Sequence, residues 1–272
     1  MTALSALPPV LERSHGAARV GLCPGPSGAR LGVLHQAGSA KAFLHPGASG
    51  PEVVFLNTSG GLAGGDRLSL ALDLAGGCRA TATTQTAERA YRSTGGAARV
   101  AVHHRLGEGA HLDWLPQETI LFDGSDLARE TVIELGPDAS CLMLEAVVLG
   151  RAAMGETGRR VRLRDTRRIS REGRPVLVEP LHLGTEALTA GPAVLAGARA
   201  FATLALVAQG AEDAVARVCR ELGEAGVSGG ASGFDGRLVI RLMAGDGWPL
   251  RRQILRLLAV LRPGPPPRVW QI

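Results

Sequence analysis

Residues 68–74 read Leu68-Ser69-Leu70-Ala71-Leu72-Asp73-Leu74, with leucine at every second position. Successive side chains of an extended chain point to opposite faces, so this alternation fits a half-buried strand and not a helix. That constrains the stretch before it, Asn57-Thr58-Ser59-Gly60-Gly61-Leu62-Ala63-Gly64-Gly65-Asp66, which carries two glycine pairs and closes on an aspartate. A phosphate cradle needs such glycines to open a helix whose N-terminus faces the anion. Here they open a strand, so the nucleotide site is set aside. The glycines are assigned to sharp turns, and Asp66 to a candidate functional position at a strand–turn–strand joint.

The same short apolar runs recur. Strands are expected over residues 18–22, 30–36, 41–44, 53–56, 68–74, 78–85, 99–106, 110–115, 128–135, 140–149 and 236–243. Gly107-Glu108-Gly109 is read as a hairpin turn between two of them, and Gly136-Pro137-Asp138 as another turn. Only two segments carry helical spacing: residues 211–225, with Glu212 and Asp213 in the first turn, and residues 249–262, started by Pro249 and stopped by Pro263-Gly264. Residues 1–18 are small, polar and proline-interrupted, and are expected to form a loosely held arm. No internal repeat or linker divides the chain, so one domain over residues 1–272 is expected.

Composition narrows the function classes. Aromatics make up only 3%, so the core must be built from Leu, Val and Ala, while 37 glycines and 16 prolines without a collagen-like period point to many turns. The cysteines Cys23, Cys78, Cys141 and Cys219 have no Cys-x-x-Cys spacing, which argues against a zinc ribbon or disulfide framework and for reduced, mostly buried thiols. No signal peptide and no apolar run of membrane-spanning length is evident, so a soluble cytoplasmic protein is expected. Net charge is +5, nearly all from arginine. Residues 159–174 hold eight arginines against two acids, and within them Arg160, Arg162 and Arg164 alternate with Val161 and Leu163. These three share one strand face, a candidate surface for an acidic partner; without interleaved aromatics, nucleic acid is not expected to bind there.

The seven histidines lack metal-site spacing, since His103 and His104 point to opposite faces of a strand and His15, His35, His45, His111 and His182 are isolated. The acids Asp66, Glu118, Asp123, Glu145 and Glu156 lie in or beside apolar or glycine-rich runs, where an unpaired carboxylate is costly. They are either neutralised by arginine or line a polar path that binds a cation or partner. No Gly-x-Ser-x-Gly elbow is present. A binding or scaffold role follows more readily than catalysis; the alternative is a β-rich metal-dependent hydrolase using Asp66 with a histidine.

Five segments in order resemble the urease accessory protein family UreD, also called UreH. They are residues 57–66, then Thr83-Thr84-Gln85-Thr86-Ala87-Glu88-Arg89-Ala90-Tyr91-Arg92-Ser93, then Trp114-Leu115-Pro116-Gln117-Glu118-Thr119-Ile120-Leu121-Phe122-Asp123-Gly124, then Gly150-Arg151-Ala152-Ala153-Met154-Gly155-Glu156, and the closing Pro267-Arg268-Val269-Trp270. The resemblance implies a mainly β fold, with many strands in stacked, roughly β-helical sheets and two helices of the C-terminal half packed on one side. It implies no enzymatic activity and no tightly bound cofactor. It implies a scaffold in the nickel-insertion complex, which binds a UreF-type accessory protein and through it a UreG-type GTPase, docks onto apo-urease, and passes nickel as transient cargo. Asp66, Glu118, Asp123, Glu145 and Glu156 then become candidate transit carboxylates. Arg160, Arg162, Arg164 and Tyr91 become candidate partner contacts, with no nucleic acid and no membrane involved.

Overall fold

The computed structural model describes residues 12–26, 28–158 and 160–271. The chain enters as β1 (His15–Gly25), returns as β2 (Gly28–Gly38) and crosses over as β3 (Ala40–His45) and β4 (Glu52–Asn57). It then winds through β5 (Arg67–Leu74), β6 (Arg79–Thr84), the short β7 (Glu88–Ala90), β8 (Ala98–Leu106), β9 (His111–Trp114), the short β10 (Thr119–Leu121), β11 (Asp126–Leu135), β12 (Ser140–Leu149) and β13 (Arg162–Arg171). The remainder is β14 (Arg174–Leu183), α1 (Thr185–Thr189), α2 (Pro192–Leu195), β15 (Ala200–Val207), α3 (Val215–Glu221), β16 (Val227–Phe234), β17 (Arg237–Ala244) and α4 (Gly247–Leu261).

Two sheets result, one in the order β14-β13-β11-β8-β5-β1-β2 and the other in the order β16-β17-β15-β12-β9-β6-β4-β3. From β4 to β13 the long strands alternate between the two sheets. Within the first sheet β1, β5, β8, β11 and β13 run parallel, and within the second so do β4, β6, β9 and β12. The chain is therefore mainly β and coils like a solenoid, as the resemblance implied.

The expected hairpin at residues 99–115 does not form. β8 pairs with β5 and β11, β9 pairs with β6 and β12, and Gly107-Glu108-Gly109 is a corner between sheets. The repeat missing from the letters is present in the backbone. Ala75–Cys78, Gly107–Ala110 and Gly136–Ala139 are equivalent turns, each closed by an N–H of its fourth residue on the carbonyl of its first, at 3.1, 3.1 and 3.3 Å. Their third residues, Gly77, Gly109 and Asp138, have φ of +69°, +63° and +52°. The turns stack: the Gly107 N–H donates to Leu74 O and the Gly136 N–H to Leu106 O, both at 2.8 Å. A Cβ on Gly107 would sit 2.7 Å from the Gly76 nitrogen, so glycine there is required by the closeness of the coils.

Between the sheets, residues in register form columns. Leu68, Leu70, Leu72 and Leu74 of β5 stand beside Val100, Val102, His104 and Leu106 of β8. These stand beside Arg129, Thr131, Ile133 and Leu135 of β11, and those beside Asp165, Arg167, Ile169 and Arg171 of β13. The inner face thus changes from leucine to paired charges along the solenoid. The second sheet is covered on both faces, which explains the unbroken apolar runs of β12 and β15. Its outer face packs on α3, α4 and Trp270.

The helix expected over 211–225 is shorter, a 3₁₀ turn at Ala211–Ala214 followed by α3. Gln253 of α4 ends it: its Oε1 accepts from the N–H groups of Gly223 and Glu224, and its Nε2 donates to Glu221 O. α4 begins two residues before the expected start, where Asp246 caps the Trp248 N–H at 2.9 Å. α1 and α2 were not foreseen, because four or five residues cannot display a 3.6-residue period. Of the expected arm, residues 1–11 lie outside the described residues, and from His15 onward the chain is already in β1. Cys78 and Cys141 are buried as expected, whereas Cys23 is half-buried and Cys219 exposed; all four are free.

Gly107→Ala and Gly136→Ala should each cost about 1–3 kcal/mol, the usual penalty of forcing atoms into filled space. Gly230→Ala, at a position with nothing within 4 Å of the added carbon, should leave the urea midpoint close to that of the parent. Equal midpoints for all three variants would refute the stacking requirement.

Candidate functional site

The five separated sequence segments come together. Leu62 bridges to Ala90, its N–H donates to Arg89 O at 2.7 Å, and the Tyr91 N–H donates to Leu62 O at 2.8 Å. The Tyr91 hydroxyl donates to Gly60 O at 2.8 Å, and a Cβ on Gly61, whose φ is +151°, would run into the tyrosine ring. β10 lies parallel between β7 and β12, which joins the second segment to the third. Phe122 meets Tyr91 edge-on at 5.1 Å, and the Arg151 guanidinium lies 4.3 Å above the Phe122 ring. The closing segment joins through Trp270 Nε1, which donates to Leu115 O at 3.0 Å, and Val269 O, which accepts from Gln117 Nε2 at 2.8 Å.

The sequence-selected acids fall into different settings within this assembly. Asp66 is buried, and its two oxygens accept from the N–H groups of Ser14 (2.8 Å) and Ala63 (2.7 Å); it closes the glycine joint. A hydrolytic centre on Asp66 would need a carboxylate that is not already committed to two backbone amides. Glu118 is partly exposed, 3.6 Å from Arg251. Asp123 and Glu156 are neighbours: Glu156 accepts from the Asp123 N–H at 3.5 Å and pairs with Arg151, while Asp123 pairs with Arg160 and lies 3.9 Å from Arg92. Arg160, Arg162 and Arg164 do share an exposed face, but their charge is answered locally, Arg160 by Asp123 and the other two by Asp126 at 2.9 and 3.5 Å.

Glu145 lies deepest. It is 1% exposed and is held by Arg129 Nη1 at 2.7 Å, Trp114 Nε1 at 3.2 Å and Thr131 Oγ1 at 3.1 Å. Arg129 is at the same time bidentate to Asp165, at 3.0 and 2.6 Å, and Asp165 also accepts from Arg167 at 2.6 Å. Arg167 reaches Glu179 at 2.9 Å, and Glu179 meets the exposed Arg241 at 2.9 Å. A continuous ion chain therefore crosses from the interior to the surface. Burial pushes the Asp165 carboxyl up, but the guanidiniums of Arg129 and Arg167 outweigh it and hold the group at about 2.

Glu88, like Asp126, Asp165 and Glu179, is an acid that sequence reasoning passed over. Asn57 Nδ2 lies 3.3 Å from both of its oxygens, and among the described residues it has no ion-pair partner. Burial dominates over the Asn57 and Arg89 hydrogen bonds and raises its carboxyl to about 7. Glu88 lines two small cavities, of about 60 and 40 Å³, that share Leu68, Leu70, Thr84 and Glu88 itself. One opens toward Asn57 and Gly60, and the other ends on Trp114, Arg129 and Glu145. His104, fully buried edge-on to Trp114 at 4.6 Å, has neither ring nitrogen hydrogen-bonded among the described residues. Burial, then His103, lower it to about 3, so it stays neutral. Among the described residues no group of three or more His, Cys, Asp or Glu is placed to hold a metal.

One of the missed positions was legible. Arg129 occupies the inner phase of the alternation Leu127, Arg129, Thr131, Ile133, Leu135, where a charge demands a buried partner. Asp165 and Arg167 stand in the same inner phase of Val161, Leu163, Asp165, Arg167 and Ile169, but nothing local says that Asp165 pairs with Arg129, thirty-six residues away.

Arg129→Met should destabilise the fold by about 3–5 kcal/mol near pH 7, because, among the described residues, Glu145 loses its only cation and Asp165 one of two. Asp165 is depressed in the folded state, so its stabilisation is present above the ordinary carboxylate pKa of about 3.9 and lost as pH falls toward 2. The deficit of the variant should accordingly shrink in acid. Glu88 runs the other way. Its raised pKa imposes a penalty that is absent below the unfolded value of about 4.3 and complete above about 7. The melting temperature of Glu88→Gln should therefore rise relative to the parent between pH 5 and 8, and a constant difference would contradict a half-buried carboxyl with a raised pKa.

Comparison with known proteins agrees with the convergence of the motifs. The family model described as UreD urease accessory protein matches residues 14–271. A "Urease accessory protein UreD" from Cereibacter sphaeroides is 60% identical over 275 residues, covering 100% of both chains. Proteins of the same name from Paracoccus denitrificans and Jannaschia sp. are 53% and 47% identical, over 96% and 99% of this chain and 94% and 100% of their own. The chain belongs to the UreD family of urease accessory proteins.

Proposed function

We propose that this protein acts in urease maturation as a non-catalytic scaffold through which nickel passes as cargo on its way to apo-urease. The carrying observation is the pair of small cavities that share Glu88 and end on Glu145. A cation entering past Asn57 and Gly60 would meet a carboxylate that has no ion-pair partner among the described residues, and beyond it a second one already neutralised by Arg129. Nickel favours imidazole in a tight site. Single oxygen donors without a ligand trio suit brief contact and release better than storage. Asp123 and Glu156, both tied to arginine, sit beside each other in the same motif cluster. Asp66 contributes by holding the joint in shape, and Glu118 by its place between the cavities and α4.

Docking belongs to the same proposal. A UreF-type accessory protein, with a UreG-type GTPase recruited through it, would use the face bearing Arg160, Arg162 and Arg164 and the Tyr91 surface beside it. No resident cofactor, nucleic acid or membrane enters this role, and it is set in the cytoplasm.

In a reconstituted activation assay, Glu88→Ala should lower nickel-dependent urease activity several-fold while co-purification with the accessory partner is retained. Full activation by both Glu88→Ala and Glu145→Gln would remove the interior route. Asp66→Ala and Glu118→Ala, run in parallel, should lower activation, Asp66→Ala with a measurable loss of thermal stability as well.

A further inference from the structure

Outside the interior, the outer face of the first sheet carries a row of cations with too few partners. Because β1, β5, β8, β11, β13 and β14 are in register, His15, Arg67, Arg99, Ala128, Arg164 and His182 stand side by side across six strands. Arg67 and Arg99 are direct neighbours on adjacent strands, both exposed, and among the described residues neither has an ion-pair partner. Like charges opposite one another on a sheet are unfavourable, so the arrangement is one that an anion would relieve. Arg164 shares Asp126 with Arg162 and keeps only a 3.5 Å contact. The row from Arg67 to His182 lines a shallow groove of about 630 Å³, whose lining includes the small side chains Ser69, Ala101 and Ala128 and one acid, Glu130.

We infer that this groove binds an extended acidic peptide segment of a partner protein, with carboxylates on Arg67, Arg99 and Arg164. Alternate side chains of an extended peptide repeat at about 7 Å. Arg67 and Arg99 are one strand spacing apart, about 5 Å, and Arg99 and Arg164 are two, about 10 Å. Long arginine stems absorb that difference, and the small lining residues let the peptide backbone come close. Single-stranded nucleic acid offers the same negative charge, but it binds through stacked bases, and no Phe, Tyr or Trp lines the groove among the described residues. This inference rests on the proposed role of the arginine-rich face as an interface and is independent of any passage of nickel.

The test is a fluorescence-anisotropy titration of the full chain with a labelled ten-residue polyglutamate, and in parallel with a labelled single-stranded DNA decamer. The peptide should bind, more weakly as salt rises. Arg67→Glu/Arg99→Glu should weaken it by about tenfold or more, whereas Arg217→Glu/Arg220→Glu on exposed α3, with the same change in net charge, should leave it within about twofold. Glu88→Ala should bind as the parent does, so that failure of the interior route and failure of the groove are told apart. Absence of peptide binding, equal losses in the two double variants, or tighter binding of the DNA would each overturn the inference. Circular-dichroism melting of both double variants verifies that they are folded.

Discussion

The architecture depends on backbone stacking backbone in register from one coil to the next. Each coil hydrogen-bonds to its neighbours along two parallel ladders, and the corner turns lie close enough that the Gly107 and Gly136 amides donate to carbonyls of the coil before. Parallel pairing in register leaves no freedom to stagger the inward side chains, so whatever occupies one inner position must be compatible with its column. The leucines of β5 and the valines of β8 satisfy that condition by apolar packing. Where β11 and β13 place arginine and aspartate in the same columns, only mutual pairing satisfies it.

That substitution of charge for leucine has consequences for the interior. A buried ion pair adds little stability compared with an apolar pair, but the removal of one partner is severe. The Glu145–Arg129–Asp165–Arg167–Glu179–Arg241 chain is therefore locked as a unit, with bidentate geometry at Arg129. It keeps a polar, hydrogen-bonded wall beside cavities that would otherwise be sealed by hydrocarbon. Glu88 has no ion-pair partner among the described residues, and burial raises its carboxyl to about 7.

The motif segments, spread over most of the chain, meet because the solenoid brings successive coils back to the same end. β7 and β10 are additions to that end, each three residues long, and they tie the glycine joint, the tyrosine and the Arg151–Glu156 loop into one body. The glycines of the joint serve shape: Gly61 makes room for the Tyr91 ring, and Asp66 fastens the loop to the chain before β1. Among the described residues the outer face of the first sheet has no such covering, and there the same register that orders the core lines up cations.

From the sequence alone, the period-two runs identified most strands, the leucine alternation after Asp66 excluded a nucleotide loop, and the alternating arginines of β13 were placed on one face. Arg129, in the inner phase of a strand, is an anomaly the sequence carries, although it was not singled out there. These are properties of neighbours along the chain. Which strands pair was decided only in three dimensions, since a glycine turn after an apolar run serves a hairpin and a solenoid corner equally well, and the coil repeat is written in hydrogen bonds rather than in residue identity. The meeting of Arg129 with Asp165, the isolation of Glu88 beside Asn57, and the juxtaposition of Arg67 with Arg99 belong to the tertiary structure for the same reason: burial and charge balance are set by residues thirty or more positions away.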